Sequence, residues 1–281
     1  MGSDPVVLVT GAGGQVGRSL RQELPAARFL TRQDLDVTDG AAVRSLLNGT
    51  DVVVHLAAMT NVDRCEAEPD AAERVNGWGT GVVVDAAAAS GARVVYLSTD
   101  YVFDGRKRGE YIEDDAPAPV NVYGRSKLAG EERVRAREEN LIVRTSWVFG
   151  DGRNFVRTIV DAARAGRPLR VVDDQRGRPT WAGDLASALA HAVGAGTRGI
   201  LHVAGDGEPC TWADLAELAL EAASLTAPVE RIDTDTYRRE SDRVVAPRPA
   251  NSVLSLERAR TLGVPLADWR PSVGRCVEGL V

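Results

Sequence analysis

Two side chains four positions apart, Tyr123 and Lys127 in the stretch Tyr123-Gly-Arg-Ser-Lys127, have the types and the spacing for acid–base work on an oxygen atom. The surrounding segment, roughly residues 121–139, reads as a helix. Leu128, Ala129 and Val134 mark an apolar side, charged residues crowd the other, and Asn121 stands where a cap is needed. Positions i and i+4 share a helix face, so phenol and ammonium are expected to point the same way. A phenol titrating near ~10 is a poor proton donor or acceptor at neutral pH; a neighbouring cation favours the phenolate and is expected to lower that value. Among 34 lysines and arginines, the only lysines are Lys107 and Lys127. A chain that otherwise relies on arginine keeps a compact cation here, where a diffuse, directional guanidinium is no substitute.

The elements that would carry this pair follow a regular alternation. Residues 6–10 form a short apolar, β-branched run, and Gly11-Ala-Gly-Gly-Gln-Val-Gly17 follows at once, opening a helix through Leu20 and Leu24 to Pro25. Strand, glycine turn and helix together are the context of a dinucleotide-binding fingerprint. Gly11 allows the tight turn, Gly14 lets backbone approach a diphosphate, and Gly17 lets helix pack on strand. The helix start at Gln15 and Val16 then offers free N–H groups to phosphate oxygens. Further strands are predicted at 27–31, 51–58, 93–99, 141–149 and 199–204, with helices at 40–47 and 70–90. This is the pattern of an α/β protein with a Rossmann-type doubly wound parallel sheet and a smaller α/β C-terminal substrate lobe. Residues 1–150 are assigned to the dinucleotide-binding domain, with 182–204 returning to it; 151–181 and 205–281 are assigned to the lobe.

In such a sheet the first and fourth strands are expected to be neighbours, with the ligand crevice between their carboxyl ends. One end carries the glycine turn and the other Ser98-Thr99-Asp100-Tyr101. Thr99 and Tyr123 would then place two hydroxyls near one carbonyl oxygen over a nicotinamide, which is a hydride-transfer arrangement. At the end of the second strand, where NAD-preferring proteins use an acid, Thr31-Arg32 stands instead. Arg32 suits a ribose 2′-phosphate, which favours NADPH and leaves NADH open, and Asp36-Val37 would flank the adenine.

Composition narrows the partners. The 281 residues are 44% hydrophobic and 26% charged, as in a soluble globular protein. A formal charge of -6 argues against a nucleic-acid surface. No apolar run reaches membrane-span length, and the first five residues lack the basic and apolar regions of a secretory leader. Cys65, Cys210 and Cys276 are odd in number and lack C-x-x-C spacing, which points away from disulfides and zinc and towards the cytoplasm. His55, His191 and His202 show no ligand spacing and read as structural, while Arg106-Lys-Arg108 and Glu113-Asp-Asp115 read as solvated loop.

Taken in order, these stretches resemble the dTDP-4-dehydrorhamnose reductases, extended members of the short-chain dehydrogenase/reductase superfamily. The matching segments are Gly11 to Gly17, Leu35-Asp-Val-Thr38, Ser98-Thr-Asp-Tyr-Val-Phe-Asp-Gly105, Tyr123-Gly-Arg-Ser-Lys-Leu-Ala-Gly-Glu131 and Arg144-Thr-Ser-Trp-Val-Phe-Gly150. Asp174-Gln-Arg-Gly-Arg-Pro-Thr180, Arg248-Pro249 with Ser252, and Asp268-Trp-Arg270 complete the set. The resemblance implies reduction of the C4 ketone of a dTDP-linked 4-keto-6-deoxysugar. Tyr123 would be the proton donor, Lys127 would hold the ribose, and Thr99 would bond the carbonyl. It implies Ala57 and Ala58 in the cofactor crevice, and Thr60, Val62 and Asp63 near the sugar, with Asp100 and Tyr101 beside Thr99. It also implies substrate contacts at Trp147, Asn154, Gln175 and Thr180. Some relatives form magnesium-linked dimers through a glutamate that is Ser19 here, so no structural metal is expected, and the assembly is left as monomer or homodimer. Ala12-Gly13 also replace a Lys-Thr form common in the family, which fits a relative acting on another deoxysugar. Two rivals stand beside this reading. One is a nucleotide-sugar epimerase or dehydratase with tightly bound NAD, against which the absence of an Asp-Glu pair after Thr99 counts. The other is a non-catalytic NADP-binding regulatory subunit, against which the intact Thr99, Tyr123 and Lys127 count.

Overall fold

The computed structural model describes residues 5–279; Met1 to Asp4, part of the segment read as carrying no leader, lie outside the described residues. A six-stranded parallel sheet forms the centre. Its first five strands are β1 (Val7–Thr10), β2 (Arg28–Leu30), β3 (Val52–His55), β4 (Arg93–Thr99) and β5 (Leu141–Thr145), and the strand Gly199–His202 joins beyond β5. Side chains alternate across the sheet as a two-residue repeat requires. Val7, Val9, Val52, Val54, Val95, Leu141 and Val143 enter one core, whereas Leu8, Val53, Val94, Tyr96 and Ile142 enter the other. Both faces are covered by helices, hence the nearly unbroken apolar strands.

The strand order corrects one expectation. From one edge it runs β2, β1, β3, β4, β5 and Gly199–His202, so β3 separates β1 from β4. The order reverses between β1 and β3, as in the 2-1-3-4-5 form of the doubly wound fold. Thr99 therefore reaches the crevice across β3 and the extended residues that follow it.

Helix ends are fixed by short polar side chains. Asp39 caps α2 (Gly40–Leu47), Asn61 caps α3 (Val62–Ala67) and Asn121 caps α6 (Val122–Arg135), each accepting from backbone N–H groups of the first turn. In contrast, α1 (Gln15–Glu23) starts at Gly14 with no side-chain cap. The predicted helix at 70–90 is a composite of α4 (Pro69–Ala72), a π-helical stretch Glu73–Trp78 and α5 (Gly79–Ser90). The widened turn accommodates Asn76, whose fully buried amide accepts from Met59 N–H (2.8 Å) and donates to Met59 O (3.0 Å) and Ser126 Oγ (2.9 Å). A π turn next to a functional cleft is a recurrent arrangement.

A second core lies under α7 (Phe155–Arg164), α9 (Trp212–Ala222) and the C-terminal helix Trp269–Glu278. Helix α8 (Ala182–Gly194) packs on the sheet beside α1. Ala259, Val264 and Leu266, from the stretch assigned on sequence to the lobe, also pack on the sheet core. Glu113 and Asp115 are not free loop acids: Glu113 accepts from His202 N–H (2.9 Å), and Asp115 is held by Lys107 and Ile112 N–H. The three cysteines are buried and free. Among the described residues no helix is long and apolar enough to cross a membrane.

Candidate active site

A cavity of about 370 Å³ opens at the carboxyl ends of the strands. On one wall is the glycine turn. Gly11 has φ +70°, and a Cβ there would stand 2.5 Å from Ala57 N; a Cβ on Gly17 would stand 2.6 Å from Ala12 Cα. Both positions therefore exclude a side chain. Gly14, Gln15 and Val16 line the same wall, and the uncapped N–H groups of α1 make its start suited to an anion. Three buried polar atoms on lining residues, Gln15 Oε1, Asp100 Oδ2 and Thr145 Oγ1, have no hydrogen-bond partner among the described residues. Buried polar atoms are rarely left so, and their convergence on one cavity fits a polar ligand. The glycine cradle, the free helix start and these atoms together fit a dinucleotide.

Ala58, Thr60 and Val62 also line the cavity, whereas Ala57 presents its backbone to Gly11. Arg32, Asp36 and Val37 lie beyond the cavity at the end of β2. Arg32 and Asp36 are exposed, and Val37 is buried against Gly79. The Asp36 carboxylate accepts from Thr38 N–H and Oγ1, and these bonds hold it below the usual carboxylate range.

Thr99, Asp100 and Tyr101 follow from β4 into a short 3-10 turn, and Tyr123 and Lys127 face them from α6. Thr99 Oγ1 donates to Asp100 Oδ1 (2.9 Å) and accepts from Tyr101 N–H (3.1 Å). Burial pushes Asp100 up to about 7, against the hydrogen bond from Thr99. The Tyr101 ring meets Tyr123 edge-on, with centroids 5.9 Å apart. The Tyr123 phenol is raised, not lowered as the i, i+4 spacing implied: burial dominates, Asp100 adds to it, and a contact with Thr99 opposes it. Lys127 does not offset this. It is 2% exposed, with Nζ 4.0 Å over the Tyr96 ring, and burial lowers it to about 7 while Glu131 acts in the opposite direction. His55 beneath it is structural: it bonds Thr10 and Thr80 through its two ring nitrogens, and burial lowers it to about 3.

The opposite wall is aromatic. The predicted strand 141–149 breaks after Thr145, because Trp147 turns with φ +46° before the short strand Val148–Phe149. That turn directs the Trp147 indole onto Trp212 in a parallel stack, with centroids 3.7 Å apart and planes 8° apart. Trp212 opens α9, whose start is fixed by a capping box of Thr211 and Asp214. Gln175 does not line the cavity; its Oε1 accepts from Trp212 Nε1 (3.1 Å) and so orients the ring.

The other expected substrate residues have different tasks. Asn154 caps α7 and donates to Gly150 O and Gly152 O. Thr180 is 1% exposed and accepts from Gly205 N–H. Asp63 binds Arg248 (2.9 Å) and Ala246 N–H (3.0 Å), tying the C-terminal strap to α3. Their side chains are absent from the cavity lining. Leu56, Leu97, Thr145, Ser146, Val148 and Trp212 line it without having been singled out on sequence. Only Trp212 gave a usable signal, a large aromatic at the first position of a capped helix.

The whole described chain has relatives. Residues 6–281 match the family model described as RmlD substrate binding domain. A dTDP-4-dehydrorhamnose reductase of Mycolicibacterium smegmatis is 41% identical, covering 98% of this chain and 86% of its own length. A probable dTDP-4,6-dihydroxy-2-methyloxan-3-one 4-ketoreductase of Streptomyces antibioticus is 40% identical over 95% of this chain and 92% of its own. The crystal structure of dTDP-4-dehydrorhamnose reductase from Bacillus anthracis, in complex with NADP, superposes with a TM-score of 0.91 at 33% identity, covering 98% of this chain and 99% of that one. On sequence and on structure, the chain belongs to the dTDP-4-dehydrorhamnose reductase family.

Proposed function

We propose that this protein is an NADPH-dependent ketoreductase acting on the C4 carbonyl of a dTDP-linked 4-keto-6-deoxyhexose. The observation that carries the reading is that the glycine cradle, the Thr99–Tyr123–Lys127 group and the Trp147–Trp212 stack line one cavity. Relatives that reduce dTDP-linked keto sugars, and one that binds NADP, support the substrate class and the cofactor.

Reduction needs one hydride at carbon and one proton at oxygen. The reduced nicotinamide, when bound, supplies the hydride; α1 and the glycine turn would hold its diphosphate. Tyr123 supplies the proton. Burial keeps its phenol protonated at neutral pH, so the donor is loaded before the carbonyl oxygen gains charge. Thr99 sits beside it, its hydroxyl turned to Asp100 until a substrate oxygen competes for it. Lys127, in a dry site, would supply positive charge behind the phenol in its protonated form and so favour the phenolate left after proton transfer. The stacked indoles shield the site from water and present apolar surface to a deoxysugar.

The test is incubation of the purified protein with dTDP-4-keto-6-deoxysugars and NADPH, with products identified by NMR. Tyr123→Phe is expected to lower kcat by about 10²–10⁴ while NADPH still binds. Full turnover by that variant would refute the assigned role.

A further inference from the structure

Helix α6 carries a third ionisable residue in line with Tyr123 and Lys127. Glu131 lies one turn beyond Lys127 on the same face and is fully buried. Its Oε1 accepts from Ser98 Oγ (2.6 Å) and Arg144 Nε (2.9 Å), and its Oε2 from Arg144 Nη2 (2.7 Å). Arg144 is also fully buried; it lies over the Phe103 ring at 5.0 Å, and its Nη1 has no partner among the described residues. The pair therefore joins three elements of the site. It ties α6 to β4 at the residue before Thr99, and to β5 three residues before Trp147.

A buried pair of this kind is a poor source of stability, because desolvation offsets most of the attraction. The arrangement has direction, however. Glu131 is one helical turn from Lys127 on α6, whereas the guanidinium lies over Phe103. Other groups around Lys127 contribute little charge. Tyr96 on β4 is raised by burial, His55 on β3 is lowered to about 3, and Cys65 on α3 is raised to about 11. Each is neutral across the physiological range. Glu73 on the π-helical stretch lies over Gly77 and is raised by burial, with Arg133 acting against it, and Asp100 faces Thr99 and Tyr123.

We propose that the Glu131–Arg144 pair is a positioning device for Lys127, in which the Glu131 carboxylate, braced by Arg144, holds the buried lysine in its cationic form. The role assigned to that cation rests on the ketoreductase reading; the charge relation itself does not.

The two-lysine sequence makes a direct test simple. With Lys107→Arg as background, lysine labelled with 13C at Cε gives one resonance, that of Lys127, whose pKa is read by NMR titration. Removing the two halves of the pair is expected to shift this pKa in opposite directions. Glu131→Gln leaves the guanidinium alone and lowers it. Arg144→Met leaves the carboxylate alone and raises it. For charges about 6 Å apart in an effective dielectric near 20, loss of Glu131 shifts it by about two pH units, and loss of the more distant Arg144 by less. The double variant removes both buried charges together and so keeps the fold; its Lys127 is expected to titrate below the parent and above Glu131→Gln. If either single variant does not fold, the double variant against the parent decides. A purely structural pair would leave the titration unmoved, or move it in the same direction in both single variants, and either result overturns the proposal. Because no turnover is measured, a protein that reduced no keto sugar would overturn the functional reading and leave this result intact.

Discussion

Gly177 bears on the aromatic wall in a way that one methyl group can measure. It sits in the short strand Arg176–Gly177, under the Trp147 indole. A Cβ at this position would stand 2.6 Å from Nε1 and 2.8 Å from Cζ2 of that ring. Ordinary carbon contacts begin near ~3.5 Å, so in Gly177→Ala the rigid indole must move by roughly 1 Å. It cannot move freely, because Trp212 is stacked on its face and is itself held by Gln175. Overpacking of this kind costs about 1–3 kcal/mol, and a disturbed aromatic pair loses about 0.5–1.5 kcal/mol more. If half of that falls on substrate binding, KM for the sugar nucleotide rises about tenfold, since 1.4 kcal/mol is one decade. The glycine cradle is on the other wall, so NADPH affinity is expected to stay within about twofold of the parent. Initial rates at saturating NADPH, with NADPH binding followed by fluorescence, separate the two. A variant with parental KM and parental Tm would refute the claim that Trp147 and Trp212 form the substrate wall.

Gly17→Ala is expected to abolish dinucleotide binding in calorimetry, because the added carbon meets Ala12 backbone, which cannot give way as a flexible side chain would. Asp100→Asn tests a pH dependence. Folded Asp100 keeps its proton up to about 7, whereas an unfolded Asp releases it near ~3.9, so this residue costs stability increasingly as pH rises between those values. The Tm of the variant minus that of the parent should therefore be more positive at pH 8 than at pH 5, and a difference independent of pH would contradict the assigned burial. Asp63→Asn weakens the bonds to Arg248 and Ala246 N–H. It is expected to speed proteolysis within residues 241–248 while moving Tm by about 1 kcal/mol equivalent or less, and an unchanged cleavage rate would count against the strap being tied there.

What could be read from the sequence divides by the range of the interactions. Tyr123 and Lys127 share a face because a helix dictates it. Gly11, Gly14 and Gly17 were legible because the turn between β1 and α1 is local. Strand order was not, because whether β3 or β4 lies beside β1 depends on packing between helices far apart in the chain. The reversed direction of the Tyr123 shift has a similar origin: spacing reports a nearby charge but not the loss of water that outweighs it. Asn154 and Thr180 fell within family-like stretches, yet capping and a backbone bond occupy their side chains. Trp212 entered the site only because Trp147 turns through a left-handed conformation, which no propensity in the Thr-Ser-Trp-Val run announces.

The widened turn at Glu73–Trp78 makes a regular helix and a working cleft competing demands. Deleting one residue there would let α4 and α5 join into an uninterrupted α-helix, gaining regular hydrogen bonding. The same deletion would rotate Asn76 away from Met59 and Ser126, releasing the segment after β3 from the helix that bears Tyr123. Selection for thermal resistance alone would tend to erase such an irregularity, so its persistence in a variant library screened only for folding would be informative about what this segment is kept for.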